Sequence, residues 1–340
     1  MTEKKKRYDW LDYGRVIMNF LMVLGHTPIP AVVNAFISTV RMPFFFFFSG
    51  FLFSFEKDNN YKEFLKRKAF QLIIPYLFFN AITYVFWVFF DRHYGNDAIV
   101  LQDATTPLPG ILMFRYGVNC VPIWFLIALF AVENLFYLIG KNLKNVYFVL
   151  IISFILSYAD HKLKLPDLPF MLNSAFTGLL FYSVGFILKD KIKWLSAQKN
   201  SKLLLLLLLF VPIWAYFGYT NGRIYIHRCI YNNYFYFILS SLSGIISTTI
   251  IAIFIERKFH QKNWIVFLST NLLAIVALHW TTGKFVKAFS YFILKQPLDI
   301  YENKILINII YSIISIILIL PAIYILNKYF PYLVGRKKKR

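Results

Sequence analysis

The sequence predicts an all-α integral membrane protein, with about ten transmembrane helices around a polar cavity and both termini in the cytoplasm. Three observations lead there. The 340 residues are 59% hydrophobic and 20% aromatic, with a mean hydropathy of +0.57, more apolar surface than a soluble domain of this length can hide. Apolar windows of about 20 residues fall at roughly 10–27, 35–54, 70–90, 122–139, 146–159, 170–188, 203–219, 235–255, 264–283 and 305–326. The net charge of +21 is distributed unevenly. With the N-terminus inside, alternate connections hold 25 Lys and Arg on the inner side against 10 on the outer, and Arg15 and Arg41 lie within spans. That asymmetry obeys the positive-inside rule. The basic charge therefore meets anionic lipid headgroups, and nucleic acid is not an expected partner. One membrane-embedded domain is expected over 1–340, with basic tails at 1–9 and 327–340. Lys4–Arg7 would serve as a basic leader, but no small-x-small cleavage site follows Leu24, so the first span is expected to stay as an anchor. No metal-ligand spacing and no glycine-rich phosphate loop is present. Cys120 and Cys229 both fall in outer connections, where a disulfide is open to them.

The first span is the most informative. Asp9–His26 is mostly apolar and free of proline until Pro28. At about 100° per residue, Arg15 and His26 differ by about three turns plus roughly 20°, and lie roughly 16 Å apart along the axis. Asp12 and Asn19 fall within about 60° of the same line. Four polar groups thus form one stripe on an apolar helix. Ionisable groups there are costly and usually face a protein interior or a watery cavity. The bland alternative places Asp12 and Arg15 at the headgroups as a solvated pair.

In the second span Arg41 has no acidic residue in its own helix. It either snorkels to the outer headgroups or donates into a cavity near His26. Pro43 bends this helix. The segment 56–71 is polar and basic, and Lys66, Arg67 and Lys68 sit on an amphipathic approach to the third span, ordinarily a solvated or lipid-facing surface. Segment 91–121 is the longest outer loop, and loops of about 30 residues are usually functional or disordered. Its later part reads as an acceptor-side lid. Glu133 lies deep in the fourth span and should be paired, protonated or at the inner mouth. Arg15 and Arg67 are the candidate partners. In 221–236, Arg223, His227 and Arg228 sit among Tyr225, Tyr231, Asn232, Asn233 and Tyr234. That mixture holds sugars by stacking and hydroxyl hydrogen bonds, and it is equally the composition of an aromatic interface belt. His279, beside Trp280, Thr281 and Thr282, either faces the cavity with His26 or packs as a satisfied histidine.

Several motifs recur in a fixed order. Asp12-x-x-Arg15 is followed, after ten intervening residues, by His26. Arg41-Met42-Pro43 precedes Phe44–Phe48 and Ser49-Gly50-Phe51-Leu52. Phe64–Lys68 leads to Ile74-Pro75-Tyr76. Pro122–Leu126 is followed by Leu129-Phe130, and Leu268-Ser269 by Leu278-His279. Together, over about 270 residues, they resemble acyltransferase family 3 of integral membrane O-acyltransferases, and most nearly its fucose 4-O-acetylase-like branch. The resemblance implies transfer of an acyl group, usually acetyl, from acyl-coenzyme A to a carbohydrate hydroxyl at a bacterial plasma membrane, with no metal. It implies His26, Arg15 and Asp12 as the catalytic set. His26 would act as base or as covalent acyl carrier, Arg15 would hold the donor, and Asp12 would orient Arg15. Lys66, Arg67 and Lys68 become candidates for the coenzyme A phosphates. Arg41, Trp124, Asn233, Arg228 and His279 become candidates for substrate binding. The rival reading is a polytopic transporter or flippase of a polysaccharide or lipid-linked sugar. Transporters often carry paired halves, and no internal repeat is seen here.

Overall fold

In the computed structural model, residues 7–58, 60–94, 103–115, 121–143 and 145–337 are described. They form helices α1 (Asp9–Leu24), α2 (Ala31–Phe51), α3 (Tyr61–Lys68), α4 (Ile74–Phe86), α5 (Arg92–Tyr94), α6 (Leu108–Leu112), α7 (Trp124–Leu143), α8 (Val146–Leu163), α9 (Leu172–Ile187), α10 (Lys189–Ser196), α11 (Asn200–Asn221), α12 (Tyr234–Phe259), α13 (Asn263–Thr270), α14 (Leu272–Phe292) and α15 (Ile305–Tyr329). The protein is an all-α integral membrane protein. Among the described residues nine helical segments are long and apolar enough to cross a bilayer, and α1, with 16 residues, falls below that length. Each of the ten sequence windows overlaps one of these ten elements.

Two windows differ from uninterrupted helices. Tyr61–Asp91 is a single helical segment that passes through a π-turn at Ala69–Ile73 just before Pro75. Proline lacks an N–H and clashes with the preceding turn, and the wider turn accommodates it. The window 264–283 breaks at Asn271 into α13 and α14. There Asn271 Nδ2 donates to the Phe267 carbonyl at 2.7 Å, and Oδ1 accepts from Asn327 Nδ2 at 2.9 Å. A side chain that bonds backbone and neighbour in this way competes with helix continuation.

α2, α7, α9 and α12 are mostly buried, whereas α8, α11, α14 and α15 expose most of their apolar surface. Leu204, Leu205, Leu208 and Leu209 of α11, and Leu306 and Ile310 of α15, are exposed, as a lipid-facing rim requires. α2 and α9 approach closely because each offers a glycine to the other's backbone. A Cβ on Gly50 would overlap the Tyr182 carbonyl, and one on Gly185 the Phe47 carbonyl. Such small-residue contacts are how membrane helices pack closely.

Alternate connections meet at opposite ends of the bundle. At one end the Asn303 amide donates to the Pro28 carbonyl at 2.9 Å, Arg115 pairs with Asp167 at 2.6 Å, and Ser174 Oγ donates to the Ile226 carbonyl at 2.9 Å. At the other end Tyr13 OH donates to the His260 carbonyl at 2.6 Å, and Arg257 Nη2 to the Ser196 carbonyl at 2.9 Å. Arg7 bonds Asp12, Ser269 Oγ bonds the same carboxylate, and Arg336 bonds the adjacent Thr270 carbonyl. Both ends of the described chain therefore lie at this second end.

Candidate active site

α1 stops at Leu24, two residues before His26. The Gly25 amide bonds the Leu21 carbonyl, the His26 amide bonds the Val23 carbonyl, and Thr27 Oγ1 closes the turn on the Leu24 carbonyl at 2.7 Å. Pro28 and Pro30 then bar the helix from continuing. His26 thus stands on the turn at the C-terminus of α1, and the shared helical face read for Arg15 and His26 stops short of the histidine.

The turn brings together residues far apart in sequence. The His26 ring lies 5.3 Å from the His279 ring and 5.6 Å from Trp280, centroid to centroid. His26 is exposed, yet His279 is only 4% exposed and Arg41 only 8%. It is therefore the accessible member of an otherwise closed polar cluster. The Arg41 guanidinium rests on Gly25, where a Cβ would overlap Nη1. Its contacts to the Leu21 and Met22 carbonyls are long, at 3.5 and 3.4 Å, and no carboxylate pairs with it among the described residues. Those carbonyls end α1, where the helix dipole favours a cation. Of the two readings of Arg41, the structure places it inside, against the turn that carries His26.

His279 Nδ1 lies 2.9 Å from the Val276 carbonyl and 3.2 Å from the Ile275 carbonyl. Carbonyls only accept, so Nδ1 carries the proton and a neutral ring presents Nε2 as an acceptor. That Nε2 has no protein partner, and neither do the neighbouring Trp280 Nε1 and Thr281 Oγ1. Three adjacent buried polar atoms without partners, next to an exposed histidine, are rare away from functional sites.

The other expected residues divide sharply. Arg15 is half-buried in α1 and makes no hydrogen bond or ion pair among the described residues. Asp12 makes no hydrogen bond to it among the described residues. The Asp12 carboxylate is 3% exposed and accepts from Arg7 Nε at 2.7 Å and Ser269 Oγ at 2.6 Å, which fastens α1 to α13. Arg67 is held by both carboxylate oxygens of Asp58, at 2.8 and 2.5 Å. Lys68 pairs with Glu133. Both are thus engaged with carboxylates, and Glu133 takes Lys68 rather than Arg15 or Arg67. Only Lys66 of that trio is exposed and uncommitted among the described residues.

Asn233 is exposed, and its Oδ1 accepts from the Phe235 and Tyr236 amides, both at 3.1 Å, so it caps α12. Trp124 opens α7 with its ring 6.0 Å from that of His227. His227, in the connection after α11, is pushed down to about 4 by burial, with Arg228 and Arg223 adding to the shift, so it is neutral near pH 7. His227 and Arg223 both lie within electrostatic range of His26. Arg228 is exposed. The expected lid is described only in part. Phe114 stacks on Phe170 at 5.0 Å, and Arg115 joins Asp167, while 95–102 and 116–120, with Cys120, lie outside the described residues. Cys229 is a free thiol that burial pushes up to about 12, an unreactive state.

The sequence matches the acyltransferase domain of acyltransferase family 3 over residues 8–328. The chain belongs to that family. No curated protein and no solved structure matches it. This acyltransferase thus has its exposed histidine on the turn after α1, with a second histidine, a tryptophan and a buried arginine around it. Sequence reasoning missed Gly25, whose lack of a side chain seats Arg41, and Ser269 and Asp58, which take up Asp12 and Arg67. A glycine directly before His26 was the one local signal.

Proposed function

We propose that this acyltransferase moves an acetyl or other short acyl group from acyl-coenzyme A to a hydroxyl of a cell-surface carbohydrate at a bacterial plasma membrane. The observation that carries this reading is the exposed His26 ring, 5.3 Å from a buried His279 and close to Arg41. A sugar hydroxyl is a poor nucleophile near neutral pH, and a neutral imidazole is the usual group to take its proton. In the base reading His26 removes that proton while the oxygen attacks the thioester carbonyl. The tetrahedral intermediate then collapses, the C–S bond breaks, and the proton returns to the coenzyme A thiolate. In the carrier reading His26 attacks the thioester, coenzyme A leaves, and the hydroxyl displaces the imidazole. A cation near the carbonyl oxygen stabilises the developing charge in either case. Arg41, whose hydrogen bonds among the described residues are the two long ones to carbonyls, would serve there. Arg15, without a hydrogen-bond or ion-pair partner among the described residues, is suited to the donor, and Lys66 to the coenzyme A phosphates at the other end of the bundle.

The deciding experiment measures coenzyme A release from acetyl-CoA by the purified protein in liposomes, with cell-envelope glycan as acceptor. Release that needs both His26 and glycan is expected. Wild-type release by His26→Ala overturns the assignment of His26. Absence of release with acetyl-CoA and with succinyl-CoA, in folded protein, turns the reading to a sugar transporter. A radiolabelled acyl group retained on the protein when acceptor is omitted identifies the carrier route.

A further inference from the structure

A cavity of about 540 Å³ opens at the His26 end of the bundle, within the range of small-molecule sites. Its walls are the end of α8, the connection to α9 and the connection between α11 and α12. His227 lines it and lies within electrostatic range of His26.

Two features separate this wall from an ordinary connecting loop. The first is backbone strain. Lys164, Met171, Cys229 and Asn232 all line the cavity and all adopt left-handed φ, at 49°, 53°, 55° and 55°. None is glycine, and left-handed residues of this kind cluster at ligand clamps. The second is charge. Asp160 is buried and accepts from Asn173 Nδ2 at 2.7 Å, and Asp167 is taken by Arg115. Lys164 and Arg228 remain, both exposed and neither paired among the described residues. The acidic groups of the cavity are thus engaged by its own side chains, Arg115 among them, and Lys164 and Arg228 are the cations left unpaired among the described residues.

We propose that this cavity is the acceptor subsite and that it selects acceptors carrying an anionic group, a carboxylate or a phosphate, read by Arg228 and Lys164. Arg228 supplies the planar fork that suits both oxyanions, and Lys164 supplies a point charge. Neutral His227 contributes uncharged hydrogen bonding on the side toward His26. The assignment rests on the O-acyltransferase reading for the word acceptor, and on the cavity alone for the anion.

The test titrates the full chain in detergent with three matched disaccharides: a neutral one, its uronic acid counterpart and its phosphate monoester. Wild-type protein is expected to bind at least one acidic probe about tenfold more tightly than the neutral one, and the stronger of the two identifies the oxyanion. Arg228→Gln combined with Lys164→Gln is expected to bring the three within about threefold, and Arg228→Glu to favour the neutral probe. Lys258→Gln, an exposed lysine at the opposite end, controls for overall charge and should keep the preference. Equal binding of all three by wild type overturns the proposal, as does a preference that survives the double substitution. Coenzyme A release is followed in parallel. A preserved acid preference without His26-dependent release removes the acceptor role and leaves an acidic-sugar site.

Discussion

Arg67 and Lys68 each meet a carboxylate, Asp58 and Glu133, whereas Arg41 beside His26 is buried against carbonyls alone. Arg15, inside the same bundle, has no partner among the described residues. A cation already paired gains little from a second anion and loses its first partner by binding it. An unpaired one in a water-poor setting is held at a cost that a substrate anion offsets. The basic stretch thus braces α3 against α7 and the preceding connection, whereas neither Arg15 in α1 nor Arg41 beside it is ion-paired to a carboxylate among the described residues.

The comparison is tested most severely at His26. His26→Ala should lower acyl transfer by about 10²- to 10⁴-fold with the melting temperature nearly unchanged, read by coenzyme A release. Arg15→Gln should cost about 10²-fold. Arg15→Lys should recover only part of that, because lysine lacks the fork. A full recovery would reduce Arg15 to a point charge. Gly25→Ala should displace the Arg41 guanidinium and lower turnover by about tenfold, measurable as a fall in kcat at saturating donor. Lys68→Gln strands Glu133 and should lower the melting temperature by roughly 3–8 °C, with the donor KM moving less than about threefold. A large rise in that KM would return Lys68 to the donor site. The smallest effect is expected from pH. The Arg67 hydrogen bonds hold the Asp58 carboxyl below the usual carboxylate range. Its contribution is complete above the ordinary carboxylate pKa of about 4 and is lost as pH falls through the lowered one. The stability gap between wild type and Asp58→Asn should therefore close only in acid.

Much of the architecture was legible in the chain. Hydropathy and helical period are local properties, and they were enough to locate all ten helical windows, the sidedness pattern of Lys and Arg, and the singular character of α1. His26 and Arg15 stood out because polar groups in an apolar run are expensive wherever the run folds. The end of α1 at Leu24 could be read from Gly25 and Pro28, although the 3.6-residue period suggested a longer helix.

The partners of the charges were settled only by the fold. Asp12 meets Ser269 across 257 residues and Lys68 meets Glu133 across 65. No local rule chooses between Arg15, Arg67 and Lys68 as the partner of a carboxylate deep in another helix. The break at Asn271, the seating of Arg41 on Gly25 and the left-handed wall of the cavity belong to the same class. Composition determined that this chain lies in a membrane and which of its groups would be costly there. Helix packing determined which of those costs the protein meets with its own side chains, as at Asp12, Arg67 and Lys68, and which it does not among the described residues, as at Arg15 and Arg41.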